Sequence, residues 1–247
     1  MTENIRKMPV TPHKAMVLAA GLGVRMRPLT LTMPKPLVSV AGQPLLDHVL
    51  DKLGEAGVTE AIVNVHYLPD QIINHTASRQ HPRVTISDER DQVLGTGGGV
   101  VKALPLLGHQ PFFHVNSDTM WIEGVRHNLS RLADAFDPEL MDIMLLMAPT
   151  ATSIGYSGLG DYAMLADGTL RKRREHQVVP FVYAGAAIIS PAIFDGAPKG
   201  EFSLTKMFDK ANEQDRLFGL RLEGIWMHVG TPAAVAEAEE ALMESAA

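Results

Sequence analysis

Lys14-Ala15-Met16-Val17-Leu18-Ala19 is an apolar run that stops at Ala20-Gly21-Leu22-Gly23. A short run without polar alternation is how a strand buried on both faces reads, and glycines directly after it open the strand into a loop. Outward from this stretch, Pro44 to Ala56 carries apolar residues at helical spacing (Leu45, Leu46, Val49, Leu50, Leu53) and is stopped by Gly57. Glu60 to His66 predicts a second strand, Leu68 to Ser78 a helix and Val84 to Asp88 a third strand. Gly97-Gly98-Gly99 reads as a flexible loop before a helix over Val100 to Leu107. Phe112 to Asn116 predicts a fourth strand that ends at Ser117-Asp118, Asn128 to Phe136 a helix, and Ile143 to Ala148 a fifth strand. Strands alternating with helices at this spacing predict an α/β fold: a Rossmann-like, doubly wound, mixed but mainly parallel sheet.

Beyond residue 150 the pattern changes. Ile154 to Arg174 is rich in Gly, Tyr and charge, and turn signals at Gly158-Leu159-Gly160 and Asp167-Gly168 predict short hairpins at a binding edge. Val182 to Ile189 reads as a strand broken at Pro191, Leu204 to Asn212 as a helix, and Leu217 to Leu222 and Ile225 to Val229 as short strands. Thr231-Pro232 starts a terminal helix over Ala233 to Glu244. With no repeat, linker or low-complexity tract, one domain over residues 1–247 is expected. Its parts would be a first half near 14–150, an inserted β subregion near 151–232 and a C-terminal helix over 233–247.

Composition narrows the chemistry. A chain of 247 residues, 46% hydrophobic, can bury roughly three quarters of its unfolded surface and needs no cross-links. It has no cysteine, which excludes disulfides and thiolate-based metal or nucleophile chemistry. A net charge of −6, from 22 basic and 28 acidic residues, argues against a nucleic-acid partner. No apolar run reaches membrane-spanning length, and Met1 to Lys14 carries no stretch resembling a signal peptide. The expectation is a soluble, cytoplasmic protein with small-molecule ligands and no membrane partner, as a monomer or small homo-oligomer.

The motif-bearing stretch runs from Leu18 to Leu37. Gly21 and Gly23 allow the backbone to approach a phosphate with its N–H groups, although such glycines also occur in ordinary strand–loop turns. The third glycine of a dinucleotide fingerprint and the Gly-Lys-Ser/Thr ending of a P-loop are both missing. Arg25, Arg27 and Lys35 bring positive charge, Arg as a fork for two oxygens and Lys as a point charge. Lys35, between Pro34 and Pro36, also reads as a solvated lysine in a turn. Asp118 ends a strand at the sheet edge where open α/β folds bind ligands; it suits Mg²⁺, and equally a helix N-cap.

The string Leu-Ala-Ala-Gly-x-Gly-x-Arg-Met-x-Pro-Leu-Thr, from Leu18 to Thr30, followed by Pro34-Lys35-Pro36-Leu37, resembles the signature of sugar-1-phosphate nucleotidyltransferases. The resemblance covers nearly the whole chain. It implies transfer of a nucleoside monophosphate from an NTP to a sugar 1-phosphate with release of pyrophosphate, on Mg²⁺ or, alternatively, Mn²⁺. It implies catalytic roles for Arg25 at the leaving pyrophosphate, for Lys35 beside the α-phosphate and for Asp118 as metal ligand. Leu18, Ala19, Ala20, Gly21 and Gly23 would wrap the phosphates, and Gly97 and Gly98 would cup the nucleobase. Glu175, Tyr183 and Gly185 would meet the sugar, in the inserted sugar-binding subregion.

Two departures from the family pattern stand out. Glu175-His176-Gln177 replaces the Glu-Lys-Pro of hexose members, and Arg171 to Arg174 read either as a solvated hairpin face or as a substitute source of charge. In Trp226-Met227-His228-Val229-Gly230-Thr231-Pro232, His228 replaces the family's second metal-binding Asp. Imidazole is a poor Mg²⁺ ligand, so His228 is a doubtful second one. Within the family the pattern is most similar to short uridylyltransferases that act on N-acetylmuramate 1-phosphate in peptidoglycan recycling. Mannose-1-phosphate guanylyltransferase is the alternative, and a non-catalytic sugar-nucleotide-binding regulatory protein is the alternative of another class.

Overall fold

A computed structural model describes residues 11–245, so the reading of Met1 to Val10 lies outside the described residues. The strands are β1 (Lys14–Leu18), β2 (Ser39–Val40), β3 (Gln43–Pro44), β4 (Glu60–Val65), β5 (Arg83–Asp88), β6 (Phe112–Asn116), β7 (Thr119–Glu123), β8 (Ile143–Pro149), β9 (Tyr162–Met164), β10 (Leu170–Lys172), β11 (Phe181–Ile189), β12 (Leu217–Arg221) and β13 (Gly224–His228). The helices are α1 (Leu45–Glu55), α2 (Pro69–Thr76), α3 (Gly95–Leu107), α4 (Asn128–Ala135), α5 (Thr205–Glu213) and α6 (Pro232–Ser245). Single 3-10 turns at Val24–Met26, Leu29–Leu31 and Lys35–Leu37 shape the long loop after β1.

Nine strands form one sheet. Its parallel half runs β5–β4–β1–β6, and β11 joins β6 antiparallel. From β11 the sheet forks: β8 and then β12 on one branch, β9 and then β10 on the other. The sheet is therefore mixed, as expected. The β9–β10 hairpin is the one that Asp167-Gly168 predicts.

Strand periodicity sorts the core into two layers. In β1, Ala15 and Val17 face one way and Met16 the other; in β4, Ala61, Val63 and Val65 oppose Ile62. The first face is covered by α1, α2 and α4 through Leu46, Val49, Ile72, Leu129 and Leu132. The second is covered by α3 and α5 through Val100, Ala103, Met207 and Phe208. A third cluster, with Met26, Val40, Met120, Met227 and Ala238, lies under α6.

Two local features were not anticipated. β7 pairs antiparallel with β13 in a separate ribbon, with His228 opposite Thr119, so the chain's last strand is stitched to the residue after Asp118. α3 also begins at Gly95, before the glycine triplet. Among the described residues no helix is long and apolar enough to cross a membrane.

Candidate functional site

The ends of β1, β4 and β6 set the floor of the site. Where β1 stops, the Ala19 N–H donates to Asn64 Oδ1 at 2.8 Å, so the glycine-bearing loop leaves the sheet tethered to the end of β4. That N–H is thereby occupied; Ala19 supports the loop from below, and Ala20 and Gly21 line the cavity instead. Gly23 has φ +61°, and a Cβ there would stand 3.0 Å from Thr30 Cγ2, so both conformation and space require glycine. The Thr30 hydroxyl donates to the Gly23 carbonyl at 2.7 Å, and the Tyr67 hydroxyl donates to the Thr30 carbonyl at 2.9 Å. Gln71 donates to the Thr32 carbonyl. The turn before α2 thus clamps the loop from outside.

This clamping brings Arg25 and Lys35 together. Both line a cavity of about 200 Å³ with Gly23 and Gly230. Lys35 Nζ lies 2.6 Å from Asp118 Oδ2, with the side chains 12% and 32% exposed, so their attraction is only partly screened by water. The Asp118 side chain accepts this bond and makes no N-cap bond, so the capping role does not apply.

Asp118 lies where two cavities meet. One, of about 300 Å³, runs from Leu18 and Gly21 past Asn64 and Glu89 to Leu94, Gly95 and Thr96. The other, of about 180 Å³, is walled by Tyr156, Asp161, Gly185, Trp226 and His228. Asn116 and Asp118 line both. Two ligands could therefore occupy neighbouring compartments and meet at the Lys35–Asp118 pair.

Gly97 and Gly98 are buried in the first turns of α3, directly after the residues that line the first cavity. A Cβ on Gly97 would sit 2.3 Å from the Phe202 ring, and one on Gly98 would sit 2.3 Å from the Gly200 carbonyl oxygen. These glycines let α3 pack tightly on residues 200–202, and the preceding Leu94, Gly95 and Thr96 form the wall. Deeper in, Asn64 Nδ2 donates to Glu89 Oε1 at 2.9 Å. Burial pushes the Glu89 carboxyl above its ordinary value, partly offset by that bond.

The second cavity gathers Tyr183 and Gly185 but not Glu175. Gly185 has φ +82°, and a Cβ would meet Thr119 Cβ at 3.0 Å and Asn116 Nδ2 at 3.1 Å, so its glycine keeps the floor open beside Asp118. Tyr183 reaches the cavity wall, but its hydroxyl turns inward to His114 Nδ1 at 3.1 Å. Glu175 does not reach the cavity: its side chain is 91% exposed and stands 3.8 Å from His176, on a loop carried away from the sheet. In the basic cluster, Arg171 pairs with Asp215 and Lys172 with Asp209, while Arg173 bonds only backbone carbonyls. Asp161, Tyr156 and Glu89 carried no sequence signal; local spacing does not reveal residues gathered from separate strands.

His228 faces the same cavity, its ring 5.6 Å from that of Trp226. Burial lowers its pKa; Asp118 opposes this, while Lys35 and Arg25 add to it. A neutral imidazole beside one carboxylate is a weak partner for a hard cation. Among the described residues no three side chains of metal-ligating type cluster. The donor set fits one divalent ion at Asp118, completed by ligand oxygens and water.

The geometry agrees with the comparisons. The nucleotidyl transferase family model matches residues 14–156. The chain is 46% identical to N-acetylmuramate alpha-1-phosphate uridylyltransferase of Caulobacter vibrioides, over 96% of this chain and 100% of that one. It is 30% identical to the probable mannose-1-phosphate guanylyltransferase 2 of Oryza sativa subsp. japonica, over 89% of this chain but 62% of that one. Its fold matches that of UDP-glucose pyrophosphorylase crystallised with UDP-glucose, with a TM-score of 0.78 at 16% identity, over 94% of this chain and 98% of that one. The signature of the loop, the two compartments meeting at Asp118 and these likenesses lead to one conclusion: the chain belongs to the sugar-1-phosphate nucleotidyltransferase family.

Proposed function

We propose that the protein transfers UMP from UTP to N-acetylmuramate 1-phosphate, giving UDP-N-acetylmuramate and pyrophosphate, in the cytoplasm. The observation that carries this reading is the Lys35–Asp118 pair at the junction of a nucleotide-sized and a sugar-sized cavity. The choice of base and sugar rests on the 46% likeness that spans the whole of the Caulobacter enzyme. The guanylyltransferase likeness is weaker and covers a smaller part of a longer chain.

In this reading a phosphate oxygen of the sugar phosphate attacks the α-phosphorus of UTP in line. The new O–P bond forms as the α–β bridging P–O bond breaks, and the electron pair leaves on pyrophosphate. The acceptor is already anionic at neutral pH, so no general base is needed, and the protein's work is positioning and charge neutralisation. Arg25 forks the β and γ oxygens, and Lys35, released from Asp118 when ligands enter, neutralises the α-phosphate as charge builds there. Asp118 would hold a Mg²⁺ ion, which supplies further charge neutralisation on the phosphates. His228, neutral and with its ring tilted against that of Trp226, shapes the wall of the acceptor compartment.

The test is pyrophosphate release by purified protein, with UTP or GTP against the 1-phosphates of N-acetylmuramate, N-acetylglucosamine and mannose, in Mg²⁺ and in Mn²⁺. UTP with N-acetylmuramate 1-phosphate is expected to be turned over fastest. Turnover confined to GTP and mannose 1-phosphate would overturn the uridylyl reading, and turnover of no pair would favour a binding protein.

A further inference from the structure

The wall of the acceptor compartment contains one carboxylate that the reaction does not use. Asp161 lies just before β9, and its place is tightly determined. Gly160 has φ +77°, and a Cβ there would be 2.2 Å from the Val179 carbonyl oxygen, so the chain turns at this point only as glycine. The Asp161 N–H donates to the Phe181 carbonyl at 2.7 Å, and its own carbonyl accepts from Arg173 N–H at 2.8 Å. The Tyr156 hydroxyl accepts from Gly160 N–H at 3.1 Å, and Arg173 Nε donates to the Gly160 carbonyl at 3.0 Å.

Within this frame the carboxylate is half spent. Oδ2 accepts the Tyr183 N–H at 2.9 Å. Among the described residues none donates a hydrogen bond to Oδ1 and no cation lies within ion-pair distance of either oxygen. The group is half-buried and faces the cavity shared with Asp118. Next to it stand the rings of Tyr156 and Trp226, 5.8 Å apart and inclined at 57°. A fixed carboxylate oxygen with open lone pairs, beside aromatic faces, suits a ligand that offers hydroxyl donors on an otherwise C–H-rich ring.

We propose that Asp161 is a specificity-determining residue that accepts a hydrogen bond from a hydroxyl of the acceptor sugar, remote from its phosphate. This deepens, and rests on, the uridylyltransferase reading. In N-acetylmuramate 1-phosphate C2 carries the acetamido group and C3 the lactyl ether, so the free hydroxyls are those at C4 and C6, and Asp161 reads one of them. An ionised acceptor left without its donor in a partly desolvated wall penalises a sugar that lacks that hydroxyl.

The experiment uses Asp161→Asn, which keeps an oxygen for the Tyr183 N–H. Its kinetics are measured with UTP and N-acetylmuramate 1-phosphate, and with the 4-deoxy and 6-deoxy forms of that sugar. The expected result is an unchanged Tm, an unchanged KM for UTP and a fall in kcat/KM for the sugar phosphate of about 10- to 100-fold. One deoxy form should lose a similar factor on the wild-type protein and be insensitive to the substitution. Near-wild-type kinetics of Asp161→Asn would overturn the proposal, and so would a loss that adds in full to that of both deoxy forms. Should the variant not fold, the wild-type protein decides: both deoxy forms performing like the parent sugar refute the role. Wild-type inactivity on N-acetylmuramate 1-phosphate strikes the uridylyltransferase reading instead, and the same comparison then applies to deoxy forms of whichever sugar 1-phosphate is used.

Discussion

Lys35 and Asp118 lie 2.6 Å apart, which holds a half-buried lysine beside the carboxylate that lines both compartments. On the proposed mechanism, removing the cation removes charge opposite the α-phosphate in the transition state. Lys35→Ala is expected to lower kcat by about 10²- to 10³-fold with a smaller change in the KM for UTP, checked by steady-state pyrophosphate release. A second residue-scale prediction concerns His114, which is buried in the centre of the sheet with Nε2 lacking a partner. Burial pulls its pKa from 6.5 to about 4. Between those values the unfolded chain binds a proton that the folded one does not, so stability is full above about pH 6.5 and falls as the pH drops toward 4. The loss attributable to this group reaches about 3 kcal/mol. Urea unfolding of wild type and His114→Leu at pH 7 and pH 4.5 checks it: the variant should lose distinctly less stability on acidification.

At the scale of elements, α3 illustrates how a glycine-rich sequence misleads and why. Gly97-Gly98-Gly99 reads as a mobile loop because glycine disfavours helices, yet all three are helical and buried. What wins is packing: Phe202, Gly200 and the Asn64–Glu89 pair approach so closely that no side chain fits. Gly99 faces that pair, and a Cβ would lie 2.8 Å from both Asn64 Nδ2 and Glu89 Oε1. Gly99→Ala is therefore expected to cost about 1–3 kcal/mol and, by disturbing the bond from the Ala19 N–H to Asn64, to raise the KM for UTP several-fold; denaturant unfolding and kinetics check the two parts. Strands such as β1 and β4 were legible because their apolar pattern is local; the motif puts Gly23, Arg25 and Lys35 in one loop, and Asp118 was legible as the carboxylate just past a strand end. Glu175 lies off the cavity lining because its sequence neighbourhood is not its spatial one: its side chain stands in solvent on the loop after β10. Asp161 was hidden for the converse reason, since its importance arises only when β9 pairs with β11 beside Trp226.

Across the whole molecule the site is closed by the end of the chain. β13 pairs with β7, putting His228 opposite Thr119, and the chain then passes Gly230 at the Arg25 cavity before entering α6. α6 covers Met26, Val40, Met120, Met227 and Val229, with Ala234 and Ala238 as its buried face, and Glu239 accepts the Ala41 N–H at 3.0 Å. Met26 lies between Arg25 and Arg27 in the sequence, so the helix fixes the arginine turn from behind although it touches no ligand. Ending the chain at Thr231 would open that cluster to water. With side chains each contributing about 1.5–3 kcal/mol when fully buried, and only part of that burial due to the helix, the expected loss is on the order of 3–5 kcal/mol. For a chain of this length that corresponds to a fall in Tm of about 10 °C. The loosened turn should also raise the KM for UTP more than that for the sugar phosphate, because Met26, beside the arginine proposed to hold the nucleotide, belongs to the cluster under α6 and Asp161 does not. Calorimetry and two-substrate kinetics on the truncated chain check both parts, and equal effects on the two KM values would sink the idea that α6 acts through the arginine turn.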